Sequence, residues 1–408
     1  MSTQEYIVFR AESALTDDYQ TIAPLSEMGM IALGKAFKPG FEAKSMQVDV
    51  IEATESEISK ISAEKDVVGT SPTMKVRHVQ DMIPGSVAVQ SIGNAELPDI
   101  SWGIDSVGAT DLPLDAGEGV RVAILDTGID PGHPAFRDVD LRDEDYVDFT
   151  NTGRTDRIGH GTHCAGTIFG ADAATETSSG QVTTRIGIAR GIRNPLIGKV
   201  LAHNVGDTQT VVKGVMWAIH KGAQIINMSL GLDFSQQVDY WLNKGLPPPQ
   251  ARAKALANYR ESILVFERLA NLATGNISSQ FPLIVAAAGN SSRRGDFVIE
   301  AEPPAASPGV LSVGAIAPDL SVWKNSNSRP NLCGPGVGIW SAVPGGGIAP
   351  ADGTSMAAPH AVGVAAIHTQ TMMAEGYFSA ERLRGKIMGT LAKLNDHPTE
   401  VGDGQVHI

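Results

Sequence analysis

From position 102 onward the chain alternates short apolar runs with longer stretches of helical spacing. Residues 120–125, 196–201, 224–228, 283–288 and 310–316 are runs of strand length rich in Val, Ile, Leu and Ala. Runs this continuous predict strands buried on both faces, as in a parallel sheet. Residues 208–221 instead place apolar positions at helical spacing and end at Gly222, so they predict an amphipathic helix with a favourable C-cap. The pattern predicts an α/β fold, with a mainly parallel sheet and helices on both faces. Sites in such sheets gather at the carboxyl ends of strands. Asp126 directly follows the first run, and Asn290 follows the fourth.

The first 80 residues read differently. Tyr6-Ile7-Val8-Phe9 and residues 46–51 predict strands, 54–64 a charged helix and Val67-Val68 a further strand. Thr54 and Glu57 have the spacing of a capping box, which supports a helix start there. The order suits a small ferredoxin-like βαβ domain over 1–80. Residues 81–100 carry Pro84, Gly85, Gly93 and Pro98 and predict a linker open to processing. The remainder, 101–408, reads as the main domain. Within it, 233–280 holds a Pro247-Pro248-Pro249 break and then a long helix over 250–272. That segment predicts a solvated helical excursion packed on the body, with a lid or a docking site as the alternative.

Composition narrows the function. The 408 residues are 42% hydrophobic and 19% charged, enough for a large core. A net charge of -13 argues against nucleic acid as partner, because phosphate binding needs clustered Lys and Arg. Two cysteines, Cys164 and Cys333, allow at most one bridge, and reduced thiols are expected. The N-terminus shows no basic segment followed by a long apolar one, so a cytoplasmic location is expected, or a secreted one if a leader precedes this sequence. No apolar run is long enough to span a bilayer, so no membrane partner is expected.

The chemistry lies in four strings. Asp126-Thr127-Gly128 is weak alone, since a strand-ending Asp before Gly is common and aspartic proteases share the tripeptide; a second catalytic copy is missing. His160-Gly161-Thr162-His163 admits a base or, with His163, a pair of zinc ligands, though no third ligand is evident. Gly353-Thr354-Ser355-Met356-Ala357-Ala358-Pro359-His360 sets Ser355 at the start of a helix, where free amides favour developing negative charge. Asn290 ends Ala286-Ala287-Ala288-Gly289-Asn290. A weak hydroxyl nucleophile, an imidazole to take its proton and a carboxylate to orient that imidazole are all supplied, in the order Asp, His, Ser.

That order and those strings resemble the subtilases, subtilisin-like serine proteases. The resemblance implies a serine endopeptidase made as a zymogen. Ser355 would be nucleophile, His160 base and then acid, Asp126 the orienting carboxylate, and Asn290 an oxyanion donor beside the backbone N–H of Ser355. It further implies that Ser229-Leu230-Gly231 pairs with an extended peptide, and that residues 1–80 are a propeptide, an intramolecular inhibitor placing its tail in the substrate groove. Alignment of residues 308–314 puts Glu302 near the floor of the S1 pocket and points to cleavage after Arg or Lys. A solvated surface Glu is the plainer alternative. Departures from the family are His133-Pro134-Ala135, where relatives carry a calcium-binding Asp, and residues 170–184, where the usual calcium loop is not recognisable. No cofactor is expected to be required; calcium stays open as an alternative, though its usual tight site is not recognisable. Two other classes compete: a catalytically silent binding protein and a zinc hydrolase.

Overall fold

A computed structural model describes residues 3–11, 46–78, 97–177, 180–203, 205–232, 234–272 and 282–408. The expectations for 12–45, most of the linker, and 273–281 lie outside the described residues. The chain forms two compact units, Met1–Met74 with Phe234–Val265, and Lys75–Asp233 with Phe266–Ile408.

The first unit opens with β1 (Gln4–Ala11), β2 (Met46–Ala53), α1 (Glu55–Ile61) and β3 (Val67–Pro72). These strands make an antiparallel sheet of order β2-β1-β3. Thr54 starts α1 by a capping box, accepting from Glu57 N at 3.3 Å while Glu57 Oε2 accepts from Thr54 N at 2.8 Å. Strand alternation sends Tyr6 and Val8 into a cluster with Ala53, Ile58 and Val67, and leaves Ile7 and Phe9 fully buried on the opposite face. Any further ferredoxin-like elements would fall in 12–45, outside the described residues.

The second unit begins with β4 (Lys75–His78) and α2 (Trp102–Ser106). It continues through β5 (Val122–Asp126), β6 (Tyr146–Asp148), α3 (His160–Phe169), β7 (Ala173–Thr177), β8 (Gly180–Thr184) and β9 (Leu196–Lys199). Next come β10 (Val205–Asp207), α4 (Thr208–His220), β11 (Ile225–Met228) and β12 (Leu230–Leu232). The chain then enters the first unit with α5 (Phe234–Asn243) and α6 (Pro248–Leu272). Trp241 of α5 packs with Ala251 and Ala255 of α6. Lys254 pairs with Glu55, and the Ser262 hydroxyl donates to Met74 Sδ at 3.1 Å. The excursion up to Val265 thus finds partners among the N-terminal residues.

The second unit resumes with β13 (Leu283–Ala287), β14 (Leu311–Ile316), β15 (Leu332–Pro335), β16 (Ile339–Val343), β17 (Gly347–Ala351), α7 (Thr354–Ala374) and α8 (Ala380–Gly389). Seven strands form one sheet of order β15-β14-β13-β11-β5-β9-β6, every pair parallel. The five apolar runs are its inner strands, buried along their whole length. After β9 the chain crosses to the other side of β5, so the strand order reverses beside β5 and opens a crevice at the carboxyl ends. Among the described residues no helix is long and apolar enough to cross a membrane.

Candidate active site

Three elements converge at that crevice. β5 delivers Asp126 at its last position, α3 carries His160 in its first turn, and α7 carries Ser355 in its first turn. Asp126 Oδ1 lies 2.7 Å from His160 Nδ1 and also accepts from Thr127 N at 2.7 Å. The approach of α3 to β5 needs Gly161, because a Cβ there would overlap the carbonyl oxygen of Gly128. Asp126, His160 and Ser355 are all fully buried. The Ser355 hydroxyl donates to the carbonyl of Ser229 at 3.3 Å.

Pro359 lies one turn into α7 and has no N–H for the carbonyl of Ser355. That carbonyl instead accepts from the Ser229 hydroxyl at 3.2 Å and from the Cys164 thiol at 3.4 Å. Cys164 is therefore a buried donor to the backbone of Ser355. His163 Nε2 lies 3.0 Å from the carbonyl of Ile339 and 3.2 Å from that of Ala349, so this ring is committed to backbone carbonyls. Burial, and then the neighbouring His160, push the His163 imidazole down to about 4. Among the described residues, Asp126, His160 and Cys164 are the one trio of candidate metal ligands, their donor atoms within 4.8 Å of one another. Two of those atoms are already joined by the 2.7 Å bond, and His163 is not in the trio.

Asn290 follows β13 and is oriented by Thr354, whose N–H and hydroxyl donate to Asn290 Oδ1 at 3.0 and 2.7 Å. The Thr354 hydroxyl also accepts from Gly289 N at 3.1 Å. Gly289 has φ +118°, and a Cβ there would overlap the Asn327 amide. Thr354 was missed in the sequence, although it directly precedes Ser355 in the strongest string.

Leu230 and Gly231 open β12, with Ser229 directly before it, and β4 lies between β10 and β12 as the middle strand of a small antiparallel sheet. Arg77 pairs with Gly231 and Val205, Val76 with Leu232 and Gly206, and Lys75 with Asp207. Val76 is fully buried there. Glu302 is 8% exposed, so it is not a solvated surface group. Its N–H donates to the carbonyl of Ala288 at 3.1 Å. A Cβ on Gly231 would overlap its carboxylate, and one on Gly289 would come within 3.2 Å of it. The carboxyl group thus lies beside both Ser229-Leu230-Gly231 and Gly289-Asn290.

The residues do not fit the family's calcium site. Ala135 is buried and offers a methyl group where the family resemblance implied a calcium-binding carboxylate. The segment after α3 closes as the antiparallel hairpin β7–β8. Cys164 and Cys333 are both free and buried.

Comparison with known proteins agrees with this geometry. The profile of the subtilase family matches residues 117–405. The chain is 31% identical over 301 residues to an intracellular serine protease of Paenibacillus polymyxa, covering 72% of this chain and 80% of the relative. It is 30% identical over 296 residues to the major intracellular serine protease of Bacillus subtilis (strain 168), covering 70% and 79%. A subtilisin-like protease 1 of Arthroderma gypseum is 32% identical over 284 residues, covering 65% of this chain and 48% of that longer relative. With Asp, His and Ser gathered at the switch point of a parallel sheet and the family profile spanning that sheet, the chain belongs to the subtilase family and is a subtilisin-like serine endopeptidase.

Proposed function

We propose that this chain is a self-inhibited endopeptidase precursor that cleaves after basic residues through an acyl-enzyme on Ser355. The observation that carries the chemistry is the buried 2.7 Å bond from Asp126 to His160 Nδ1, which leaves Nε2 as the proton acceptor. Ser355 Oγ attacks the peptide carbonyl carbon and its proton passes to His160. The oxyanion takes hydrogen bonds from the Asn290 amide and the Ser355 N–H. As the C–N bond breaks, His160 returns the proton to the departing amine. Water then repeats the sequence on the ester and regenerates the Ser355 hydroxyl.

Two further observations support the finer reading. β4 fills the strand position between β10 and β12 that an extended peptide would take, which supports inhibition by the N-terminal segment. The Glu302 carboxylate beside Gly231 and Gly289 supports a basic P1 residue, since a dehydrated carboxylate favours Arg or Lys and disfavours an apolar side chain. Between Arg77 and Trp102 the sequence has no Lys or Arg, so self-cleavage after a basic residue would have to use Lys75 or Arg77, both within β4. Protein or peptide is the partner we infer, with no nucleic acid, given the net charge of -13. A cytoplasmic location is supported by the relatives named intracellular serine proteases.

A fluorophosphonate probe tests the reading. Chain nicked in the linker and freed of its N-terminal fragment should label covalently, intact chain should label more slowly, and Ser355→Ala should not label. Equal labelling of intact and nicked chain would remove the self-inhibition, and no labelling of either would leave a silent binding protein.

A further inference from the structure

The helix that presents His160 has no cap of its own. Its N-cap residue is Gly159, with φ +92° and no side chain to satisfy the first turn. No capping residue can replace it, since a Cβ at Gly159 would come within 2.8 Å of Pro344 Cδ in a left-handed backbone conformation. Yet the first turn of any helix leaves N–H groups without intrahelical partners, and here that turn is fully buried.

The Gly161 N–H donates to the Thr127 hydroxyl at 2.9 Å, and Asp156, three residues before the N-cap, serves the residues on either side of His160. Its Oδ1 accepts from Ile158 N at 3.0 Å and Gly159 N at 2.8 Å, and its Oδ2 accepts from Thr162 N at 3.0 Å and the Thr162 hydroxyl at 2.7 Å. Both oxygens are thus used, by four donors flanking His160 on either side. The carboxyl group is 1% exposed, and burial pushes its pKa up, but four donors shared between its two oxygens favour the ionised form. On the other flank the same turn is wedged against Gly128 through Gly161, and the Thr162 hydroxyl accepts from Asp130 N at 3.0 Å.

We propose that Asp156 is the positioning residue of the catalytic imidazole, fixing the first turn of α3 so that His160 stands in register with Asp126 and Ser355, and adding a second buried negative charge that favours the imidazolium. The other titratable groups around this turn are Asp126 from β5, Asp130 beyond it, Tyr146 from β6, Lys199 from β9, and His163 and the Cys164 thiol on α3 itself. Lys199 spends its ammonium on the carbonyl of Thr155, at 2.8 Å, and Tyr146 donates to the carbonyls of Ile129 and Arg154. Asp126 and Asp156 are the carboxylates hydrogen-bonded to the His160 turn itself.

Asp156→Asn removes the charge and sets an NH2 group against one pair of its donors. In enzyme freed of its N-terminal fragment, kcat should fall by about 10- to 100-fold with KM within about threefold, since a displaced base weakens the transition state more than substrate binding. The acid limb of kcat/KM should also move to lower pH, because an imidazolium with one fewer carboxylate nearby gives up its proton more readily. A group that serves the fold alone would lower the melting temperature and move neither kcat nor the acid limb. If either stays unchanged at a temperature where the variant is folded, the proposal fails. Should Asp156→Asn not fold, Thr162→Val removes one donor and keeps the charge. It should lower kcat several-fold with the acid limb unmoved, and an unchanged kcat overturns the assignment.

Discussion

Thr354 grips Asn290 twice, its N–H and its hydroxyl both donating to Asn290 Oδ1 at 3.0 and 2.7 Å. An amide whose oxygen is taken in this way must turn its NH2 to the other side, so the residue before Ser355 determines which way the Asn290 NH2 points.

Asn290→Ala should therefore leave the fold intact and lower kcat by about 10²- to 10³-fold, the usual loss for one oxyanion donor. Steady-state kinetics on a peptide amide check it. A change confined to KM would contradict the role given to Asn290.

Glu302 supplies the specificity prediction. Wild-type enzyme should prefer Arg or Lys over Leu at P1, and Glu302→Ala should reduce that preference by at least about tenfold, because the dehydrated carboxylate is then gone. Peptide-library profiling of the two proteins decides it, and the same P1 profile in both sinks the idea.

Two buried histidines predict an acid-sensitive fold. Burial pushes both His163 and His360 down to about 4. In the unfolded chain each would take up its proton near ~6.5. Between these values the unfolded chain binds more protons than the folded one, so stability is full above about 6.5 and falls as pH drops towards about 4, by on the order of 3 kcal/mol per ring at most. Urea unfolding at several pH values should show that decline, with a shallower slope in His163→Gln. A pH-independent midpoint across the window would count against neutral rings.

Calcium removal should matter little. Ala135 is buried without a carboxylate, and the segment after α3 pairs as the β7–β8 hairpin, so excess EDTA should leave the melting temperature unchanged. A large drop would reveal a calcium site elsewhere.

The inner strands were legible in the sequence because both faces of a central parallel strand must be apolar, and Leu283–Ala287 or Ile225–Met228 can hardly be anything else. The strings around Asp126, His160, Asn290 and Ser355 stood out in the sequence, and their neighbours serve the local backbone: Gly161 for close approach, Gly289 for a positive φ and Thr354 for the Asn290 amide. Edge strand β6 and the hairpins β7–β8 and β16–β17 carry no comparable apolar run, since partly exposed strands tolerate polar residues, and they went unread.

Residue types and their order along the chain pointed to the reaction class, because a hydroxyl, an imidazole and a carboxylate are chemical identities. Only the tertiary structure decided what depends on distant backbone. It turned Glu302 inward against Gly231, set β4 between β10 and β12, and grouped the α5–α6 excursion with the N-terminal sheet. It also gave Asp156 the task of capping a helix whose own N-cap had to be glycine, a need that arises from the left-handed backbone at Gly159 and the packing of Pro344 against it.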